Sequence, residues 1–597
     1  MRGESLPGNR MSATHTAGAN TSDKFFAAAC GCFIVTCVLL THPVVECGFD
    51  DDWSYAHIAL EFANTGKLTY DGWAAPMLLF QAMWGRILIH LFGFSFSLLR
   101  FSTLPFAAGC AALTYTLGRK VGLNRSDSIY SSATLVLSPL FMPLAASFMT
   151  DVYGCFFSLL CLYCGIRAIA QENWPANLWL LSAVIVGLVG GANRQITWIA
   201  PLVVLAFAIS LSRSTNFRAL GLLLTFVSLT SMYLMMSWHK RQPFAVSESI
   251  DAGLLHGLLH HLGLALTVLY FLALTLLMVA LPVLLRLFAS SPATRWPDWL
   301  SIFLLVGIAM VGCGIASGRM LPPWMGNIIT LNGVLHSGRE LLGTSSPTLP
   351  ASIRLAIGVA VAGCIAQLLV CMSEKWRSRD RRYESSRRNA PVGISLLAVF
   401  GTLYFLLLTI QAYKGFWMIT DRHVLPLVPV VAVILLKYFP SNARGLAWIG
   451  WCALGVYGCY AIATTHDYYA GLRARVAAYQ NLEARGVPPN QINGGLELDA
   501  WTQLELEGHM NNPLVRFPSD GYKPLHLGYP FWLSDYTPAI RPKYFLSWSN
   551  VDGLVSSDVA PLSFTTWLPP SPHKVLVLTN VPGRAYTALM NPIPTGE

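Results

Sequence analysis

Residues 25–59 read FFAAACGCFIVTCVLLTHPVVECGFDDDWSYAHIA and contain the features that decide the fold. The first half, as far as Leu40, is an apolar run without a charged residue, as in a membrane-spanning helix. The second half places three adjacent carboxylates, Asp50, Asp51 and Asp52, directly before an amphipathic segment. We therefore expect an uncleaved first membrane helix that leads at once into an acidic, polar loop.

Apolar runs of similar length recur along the rest of the chain. Of the 597 residues, 54% are hydrophobic and only 12% are charged, whereas soluble chains carry about a quarter charged residues. This composition excludes a cytosolic enzyme, a disordered chain and a coiled-coil rod. A bilayer-spanning helix needs about 20 mostly apolar residues. The pattern therefore predicts thirteen spans, near residues 25–42, 96–117, 129–147, 151–170, 177–193, 195–212, 217–237, 257–287, 299–316, 352–373, 392–412, 424–440 and 446–464.

The charged residues between these spans predict the topology. Lys and Arg concentrate in alternate loops, as expected for cytoplasmic loops, and the densest run covers residues 375–388. Because apolar spans flank that run, we interpret it as a topology signal and expect no nucleic-acid partner. The other loops carry mostly acids, among them Asp71, Asp151 and Asp421. The N-terminus is then cytoplasmic, and an odd number of spans places the C-terminus outside.

This pattern predicts a cytoplasmic tail over residues 1–24, a transmembrane domain over 25–465 and an extracytoplasmic domain over 466–597. The last region has a net charge of −2, against +12 for the remainder, and contains no apolar run long enough to span a bilayer. A helix is predicted over 466–485 and a buried strand over 574–579. We therefore expect a small α+β domain.

The first outer loop contains two predicted helices that do not cross the membrane. Residues 53–65 carry apolar side chains along one helical face, and Asn64-Thr65-Gly66 ends the segment. Residues 76–92 begin with proline in the first turn, and Arg86 and His90 make the segment a poor spanning helix. The predicted fold is an α-helical polytopic membrane protein of about thirteen transmembrane helices. It has interfacial helices in its first outer loop and a small α+β C-terminal domain.

Asp50, Asp51 and Asp52 form the most distinctive cluster of ionisable residues. Adjacent carboxylates repel one another, so burial is expected to raise the pKa of at least one of them. A carboxylate with a raised pKa at the membrane surface suits a general base for a hydroxyl. Acids at a helix N-terminus also cap backbone amides, so a purely structural role stays open. Asp151, at the outer end of another span, has the same two interpretations.

Asp51-Asp52-Trp53-Ser54-Tyr55-Ala56 resembles the Asp-Glu-x-x-Tyr-Ala motif in the first outer loop of membrane glycosyltransferases of the C superfamily (GT-C). That superfamily includes protein O-mannosyltransferases and the lipid A aminoarabinose transferase, and the resemblance is greatest to its RgtA/B/C/D-like branch. Three further features agree with this resemblance. They are the two interfacial helices, an Asp that opens the fourth span, and Arg422 followed by Pro426 and Pro429. As an architecture, the resemblance covers residues 25–440.

The resemblance implies roles for individual residues. Asp51 matches the catalytic Asp of the family, Asp52 matches the acid that follows it, and Asp151 matches an acid of the second outer loop. Asp50 and Tyr55 are expected to contribute to substrate binding. A sugar that leaves as polyprenyl phosphate needs little protonation, because the phosphate is already a stable anion. Such a transferase needs one base for the acceptor and positive charge for the phosphate.

The chain departs from the family at the residues expected to bind the donor phosphate. Many members carry Lys-Pro-Pro before the second interfacial helix, whereas residues 73–76 here are Trp-Ala-Ala-Pro and include no Lys. We expect phosphate binding to fall to Arg422, Arg194 and Lys414 instead. The two arginines are the better candidates, since guanidinium groups match phosphate oxygens bidentately.

The sequence thus predicts an integral membrane glycosyltransferase that moves a sugar from a polyprenyl-phosphate donor to a hydroxyl of a lipid, glycan or protein. Inverting transfer is expected on the extracytoplasmic face of a bacterial inner (cell) membrane, among membrane lipids. No cofactor is assigned, a divalent cation is left open, and metal ligands are unknown. Two alternatives from other classes are a lipid or solute transporter (flippase) without covalent chemistry, and a degenerate transferase scaffold that binds glycans.

Overall fold

The computed structural model describes residues 11–212, 214–246, 258–290, 296–335, 340–379, 392–412, 419–439 and 448–580. Within these ranges the chain is mainly helical, and most strands lie in the C-terminal part. The helices are α1 (Met11–Leu40), α2 (Asp52–Thr65), α3 (Leu79–Phe92), α4 (Phe96–Phe101), α5 (Leu104–Lys120), α6 (Arg125–Val136), α7 (Phe141–Ala145), α8 (Thr150–Ile169), α9 (Asn173–Asn193), α10 (Ile199–Leu211), α11 (Thr215–His239), α12 (Leu258–Val279), α13 (Leu281–Ser290), α14 (Trp296–Ser317), α15 (Ala351–Arg379), α16 (Val392–Ala412), α17 (Leu427–Tyr438), α18 (Trp448–Ala484) and α19 (Leu496–Glu507).

Nine helices in the described part of the chain are long and apolar enough to cross a membrane. They are Thr21–Leu40, Phe96–Lys120, Thr150–Ile169, Asn173–Asn193, Thr215–His239, Leu262–Val279, Pro297–Ser317, Ala351–Glu374 and Val392–Gln411. Each corresponds to one of the predicted spans. The prediction of an α-helical, polytopic membrane protein is therefore confirmed.

The four other predicted spans are shorter, broken or less apolar helices. The span predicted at 129–147 is divided into α6 and α7, because Pro139 lacks a backbone N–H and disfavours the helical conformation in the residue before it. The spans predicted at 195–212 and 424–440 contain the short apolar helices Gln195–Leu211 and Leu427–Tyr438. The span predicted at 446–464 is the first half of α18, which continues well beyond it.

The two helices of the first loop lie near their predicted positions. α2 begins at Asp52 and ends before Gly66, whose φ of 73° is readily adopted by glycine. α3 begins only at Leu79, so Pro76 lies outside the helix. The N-terminal half of α2 is buried, including Trp53 and Tyr55. The motif at its start is therefore fixed by packing.

Arg100 on α4 holds the chain segment that connects α1 to α2. Its guanidinium group donates hydrogen bonds to the backbone oxygens of Pro43, Val45 and Cys47 at 2.6, 3.1 and 2.8 Å. The side chain is only 1% exposed, and burial of such a charge requires satisfied donors. The loop that leads to Asp50 is thereby attached to the membrane helices.

The C-terminal part is a small α+β region that begins within a long helix. α18 runs without a break from Trp448 to Ala484, so the predicted domain boundary at 466 falls inside one helix and stays a prediction. The described strands are β1 (Ile329–Thr330), β2 (Gly333–Val334), β3 (Ile492–Asn493), β4 (Tyr544–Ser547), β5 (Leu554–Ser556), β6 (Leu562–Trp567) and β7 (Pro570–Asn580). The C-terminal strands form a sheet in the order β3-β4-β7-β5, with β6 paired to β7; β7 contains the strand predicted at 574–579.

The C-terminal region is attached to the first loop through backbone groups. The N–H of Met510 donates to the carbonyl oxygen of Asp71 at 2.7 Å, and Nδ2 of Asn512 donates to that of Gly72 at 2.8 Å. Gly72 has a φ of 84°, and a Cβ atom there would lie 2.9 Å from the Met510 oxygen. Both the conformation and the close contact require glycine. This attachment places residues after 508 beside the acidic loop.

Candidate active site

The three acids of the first loop do not share one environment. Asp50 has a φ of 52°, a left-handed conformation that side chains other than glycine adopt rarely and often at functional sites. Asp50 and Asp51 both contact Arg422, whereas Asp52 begins α2 and contacts buried backbone groups. The three adjacent carboxylates are therefore divided between an arginine-bound pair and a separate structural acid.

Arg422 binds Asp50 and Asp51 together. Its Nη1 atom is 2.7 Å from Oδ2 of Asp50, and its Nη2 atom is 2.6 Å from Oδ2 of Asp51. Burial and then the carboxylate of Asp51 raise the pKa of Asp50 well above its usual value, although Arg422 opposes the shift. Burial disfavours the charge on Arg422 as well, but Asp51 and Asp50 outweigh it and hold the pKa of Arg422 above its usual value. The predicted phosphate ligand is thus charged and shared by two acids.

Asp421 fixes the segment that carries Arg422. Its carboxylate accepts hydrogen bonds from the backbone N–H groups of Ile328 and Ile329 at 3.1 and 2.7 Å. Its own N–H donates to the carbonyl oxygen of Met325 at 2.9 Å. Burial raises the pKa of Asp421 to about 6, although these hydrogen bonds lower it. The sequence identified Asp421 only as an acid of an outer loop, and the structure shows that it positions the arginine.

Asp151 and Arg194 form a second buried ion pair. The Nη1 atom of Arg194 is 2.6 Å from Oδ1 of Asp151 and donates to Oγ1 of Thr150 at 2.9 Å. Arg194 follows the last residue of α9, and a Cβ atom at Gly154 would lie 3.1 Å from its Cδ, so glycine leaves room for the arginine. The second oxygen of Asp151, Oδ2, is buried and has no hydrogen-bond partner among the described residues. It is a buried acceptor that no described residue satisfies.

The two ion pairs meet around Tyr55. This residue is 4% exposed, and burial followed by the charge of Asp51 raises the pKa of its phenol well above the usual value. Arg422, Asp151 and Arg194 also lie close enough to act on this phenol electrostatically. Residues from four separate segments therefore form one buried group, which we call the acid–arginine cluster: Asp50, Asp51, Tyr55, Asp151, Arg194 and Arg422.

Asp52 is next to this cluster in sequence but has different contacts. Its Oδ2 atom accepts the backbone N–H of Phe148 at 2.9 Å, and its Oδ1 atom accepts that of Phe49. Burial raises the pKa of Asp52 to about 6, against the lowering effects of Arg100 and the two backbone donors. The carboxylate thereby joins the first loop to the segment just before Asp151.

Trp73 contacts the cluster, although no sequence pattern distinguishes it from the other aromatic residues. Its Nε1 atom donates a 2.9 Å hydrogen bond to Oδ1 of Asp51. Asp71 positions this tryptophan by accepting its backbone N–H at 3.0 Å, and it also accepts the hydroxyl of Ser54 at 3.0 Å. Burial raises the pKa of Asp71 to about 6. Tryptophan is common at membrane surfaces, so only the structure distinguishes this one.

Two further predictions are not placed in the cluster. Lys414 lies outside the described residues. For the divalent cation left open above, no group of three or more His, Cys, Asp or Glu side chains in the described ranges is arranged to hold a metal ion. Asp50, Asp51 and Asp151 are each bound by an arginine instead. This donor set does not fit a resident divalent cation, and no step is assigned to one.

No family model matches the chain, and no curated protein matches it. One similar solved structure is ArnT from Cupriavidus metallidurans in the apo state. It has 14% identity and a TM-score of 0.38, and the match covers 94% of this chain and 98% of that one. Another is the Archaeoglobus fulgidus oligosaccharyltransferase in complex with Zn and sulfate, with 13% identity, a TM-score of 0.39, and 85% and 61% coverage of the two chains.

A third similar structure is the S. cerevisiae protein O-mannosyltransferase Pmt1-Pmt2 complex bound to the sugar donor. It has 15% identity and a TM-score of 0.29, and the match covers 36% of this chain. The chain spans 32% of that protein and 61% of the oligosaccharyltransferase. All three are GT-C enzymes, the superfamily that the first-loop motif resembles. At these identities and TM-scores the likeness assigns no role to any residue of this chain.

Proposed function

We propose that this chain is a membrane glycosyltransferase of the GT-C type that moves a sugar from a polyprenyl-phosphate donor to an acceptor hydroxyl. The observation that supports this function is the acid–arginine cluster. An acceptor hydroxyl needs a carboxylate base, and a departing phosphate needs positive charge that is already in place. The cluster contains both kinds of group, and they come from distant segments of the chain.

Asp51 is the proposed general base. Arg422 binds one of its carboxylate oxygens and Trp73 binds the other, so the carboxylate is held from two sides. Each oxygen has a further lone pair that can accept a proton. As the acceptor oxygen bonds to the anomeric carbon, its proton passes to Asp51. The bond between that carbon and the phosphate oxygen breaks, its electron pair leaves with the polyprenyl phosphate, and the anomeric centre inverts.

Arg422 and Arg194 are proposed to bind the donor phosphate. A guanidinium group carries five N–H donors, and the ion pairs of Arg422 with Asp50 and Asp51 use only some of them. Arg422 can therefore contact a phosphate oxygen without losing the two acids. Arg194 contacts its partners through Nη1 and keeps its other donors in the same way. Lys414 stays a predicted third phosphate ligand.

The other acids receive different proposed roles. Because both oxygens of Asp52 accept backbone N–H groups, we propose that it positions the loop and does not take part in chemistry. Asp151 is proposed to orient the acceptor hydroxyl through its Oδ2 atom. The hydroxyl of Tyr55 makes no hydrogen bond to a described residue and is suited to contact the substrate. Asp50 is proposed to hold Arg422 in place.

Orientation and compartment are parts of this proposal. The first loop, which carries Asp50 and Asp51, is hydrogen-bonded to the C-terminal region through Asp71 and Gly72, so we expect both on the same side of the membrane. The distribution of Lys and Arg predicts that this side is outside. We therefore propose that transfer occurs on the extracytoplasmic face of a bacterial inner membrane, to a lipid, glycan or protein acceptor.

The test is sugar transfer by the purified full-length chain in nanodiscs. Labelled polyprenyl-phosphate sugars are supplied as donors, with envelope lipids, glycans and peptides as acceptors. We expect Asp51→Asn to lose transfer, whereas Asp520→Asn, a change at an exposed acid, keeps it. Equal transfer by folded Asp51→Asn and wild type contradicts the assignment of the base. Movement of a labelled solute or lipid across proteoliposomes without any covalent transfer supports the transporter alternative instead.

A further inference from the structure

A polar cavity lies between α18 and β6, apart from the acid–arginine cluster. Its volume is about 400 Å³, within the range of roughly 300–1,000 Å³ that is typical of small-molecule sites. Its helix side is formed by small side chains, and residues 562–565 of β6 form the other side. His466 and Arg473 contribute the charged or titratable groups. The small side chains are Ala470, Ala474 and Ala477.

His466 is held in one orientation. The carboxylate of Asp467 accepts the backbone N–H groups of Trp567 and Leu568 at 2.6 and 2.9 Å, so it acts as an acceptor. Nδ1 of His466, 3.0 Å away, must then carry the proton. The imidazole also stacks on Trp567, with ring centroids 3.8 Å apart. His466 is 8% exposed, and its Nε2 atom has no hydrogen-bond partner among the described residues, so this nitrogen is left for a ligand.

Arg473 lacks an acidic partner. Its Nη1 atom donates to the carbonyl oxygen of His42 at 2.5 Å, and its other N–H groups make no hydrogen bond or ion pair within the described ranges. Burial lowers the pKa of Arg473 from its usual value. A half-buried guanidinium group with free donors is suited to bind an anion, and phosphate oxygens match its geometry.

The cavity lies beside the residues that follow the first membrane-spanning helix. His42 is the second residue after the span Thr21–Leu40, and its ring centroid is 6.2 Å from that of His466. Leu39, Leu40 and Val44 next to it are 51%, 50% and 58% exposed. Exposed apolar residues at the end of a span contact lipid, so a headgroup at this height reaches the cavity while its acyl chains stay on the apolar surface.

We infer that this cavity is a binding site for a phosphate group at the membrane surface: Arg473 donates to the phosphate oxygens, and Nε2 of His466 accepts from a phosphate hydroxyl. It is distinct from the proposed transfer site. On a different face of α18, Tyr468 and Tyr469 pack against Phe49, which precedes the acid–arginine cluster. A phospholipid headgroup and free phosphate both have this chemistry, and the exposed apolar residues favour the lipid.

The test is native mass spectrometry of the delipidated full-length chain. Three probes are titrated: phosphatidic acid, diacylglycerol with the same acyl chains but no phosphate, and inorganic phosphate. We expect one saturable site per chain for phosphatidic acid and none for diacylglycerol. Weaker or absent binding of inorganic phosphate identifies the lipid as the source, and equally tight binding identifies free phosphate. If neither phosphate compound binds saturably, or if diacylglycerol binds equally well, the proposal is overturned.

Variants locate the site. Loss of charge-assisted hydrogen bonds in Arg473→Gln is expected to weaken phosphatidic acid binding about tenfold or more, and His466→Gln is expected to weaken it less. Arg485→Gln, a change at an exposed arginine just after the end of this helix, should bind normally. Ala477→Phe narrows the cavity from an exposed position, keeps Arg473 and His466, and is expected to fold normally. If Arg473→Gln and Ala477→Phe both bind phosphatidic acid as tightly as the wild type, the proposal is overturned, whatever the stability of either variant.

Discussion

The indole N–H of Trp73 donates a 2.9 Å hydrogen bond to the carboxylate of Asp51. The same indole packs against Trp532 and Tyr536, with ring centroids 6.5 and 5.8 Å away. The proposed base is therefore in contact, through a single side chain, with the region that follows the last membrane helix. This contact connects the position of the carboxylate to the packing of the C-terminal region.

Trp73→Phe is predicted to slow sugar transfer while the protein stays folded. Phenylalanine keeps an aromatic ring but removes the N–H that contacts Asp51. Hydrogen bonds to charged groups contribute about 1.5–3 kcal/mol, so kcat should fall roughly tenfold to a hundredfold. Trp532→Phe is the matched control, since it changes the same aromatic group without touching Asp51. Initial rates at saturating donor measure the effect, and equal rates for the two variants contradict it.

Arg422→Gln is predicted to destabilise the protein as well as to abolish transfer. The substitution leaves Asp50 and Asp51 buried without their cation, and breaking a buried ion pair costs about 3–5 kcal/mol. Addition of Asp50→Asn should restore part of the lost stability, because it removes one unpaired carboxylate. Thermal inactivation of the purified chain measures both effects. Arg541→Gln, at an exposed position, serves as control, and a similar loss of stability in that variant contradicts the prediction.

Asp421→Asn is predicted to change how stability depends on pH. Burial raises the pKa of Asp421 from 3.8 to about 6, so between these pH values the folded state holds a proton that the unfolded state has released. This carboxyl therefore lowers stability progressively as the pH rises through that window. Asparagine does not titrate, so the melting temperature of the variant relative to wild type should increase from pH 4 to pH 7. If the melting temperatures of the variant and the wild type differ by the same amount at every pH in this range, the prediction is wrong.

Gly72→Ala is predicted to loosen the contact between the first loop and the C-terminal region. A methyl group there meets the Met510 carbonyl oxygen at 2.9 Å, in addition to the strain of a φ of 84°. Gly508→Ala is a matched control, since Gly508 has a φ of 73° but no atom within 4 Å of the added Cβ. Limited proteolysis should cleave the C-terminal region faster in Gly72→Ala than in Gly508→Ala. Equal cleavage rates show that the close contact does not matter.

Local patterns in the sequence predicted the membrane helices and the motif at the start of α2. An apolar run of sufficient length has few alternatives to a spanning helix, because each backbone polar group must be satisfied within the bilayer. Pro139 shows where that argument fails, since one imino acid divides an otherwise continuous run into α6 and α7. In the same way, α18 continues past residue 466 because no residue there ends a helix.

The residues of the candidate site were largely predictable from the sequence, but the ion pairs among them were not. Arg422 and Asp50 are 372 positions apart, and no local pattern indicates that they form an ion pair. Trp73 resembles any aromatic residue of a membrane surface until its indole is seen to contact Asp51. Asp52 stands next to Asp51 yet contacts backbone groups, because successive residues at a helix start point in different directions.

The 37 residues of α18 form one uninterrupted rod, about 55 Å long at 1.5 Å per residue. A bilayer core is only about 30 Å thick, so much of this rod stands clear of the lipid and supports the α+β region. A tilt of the membrane-embedded half of α18 would therefore move the α+β region at its other end by a larger distance. The orientation of this one helix in the bilayer therefore sets the position of the α+β region relative to the membrane.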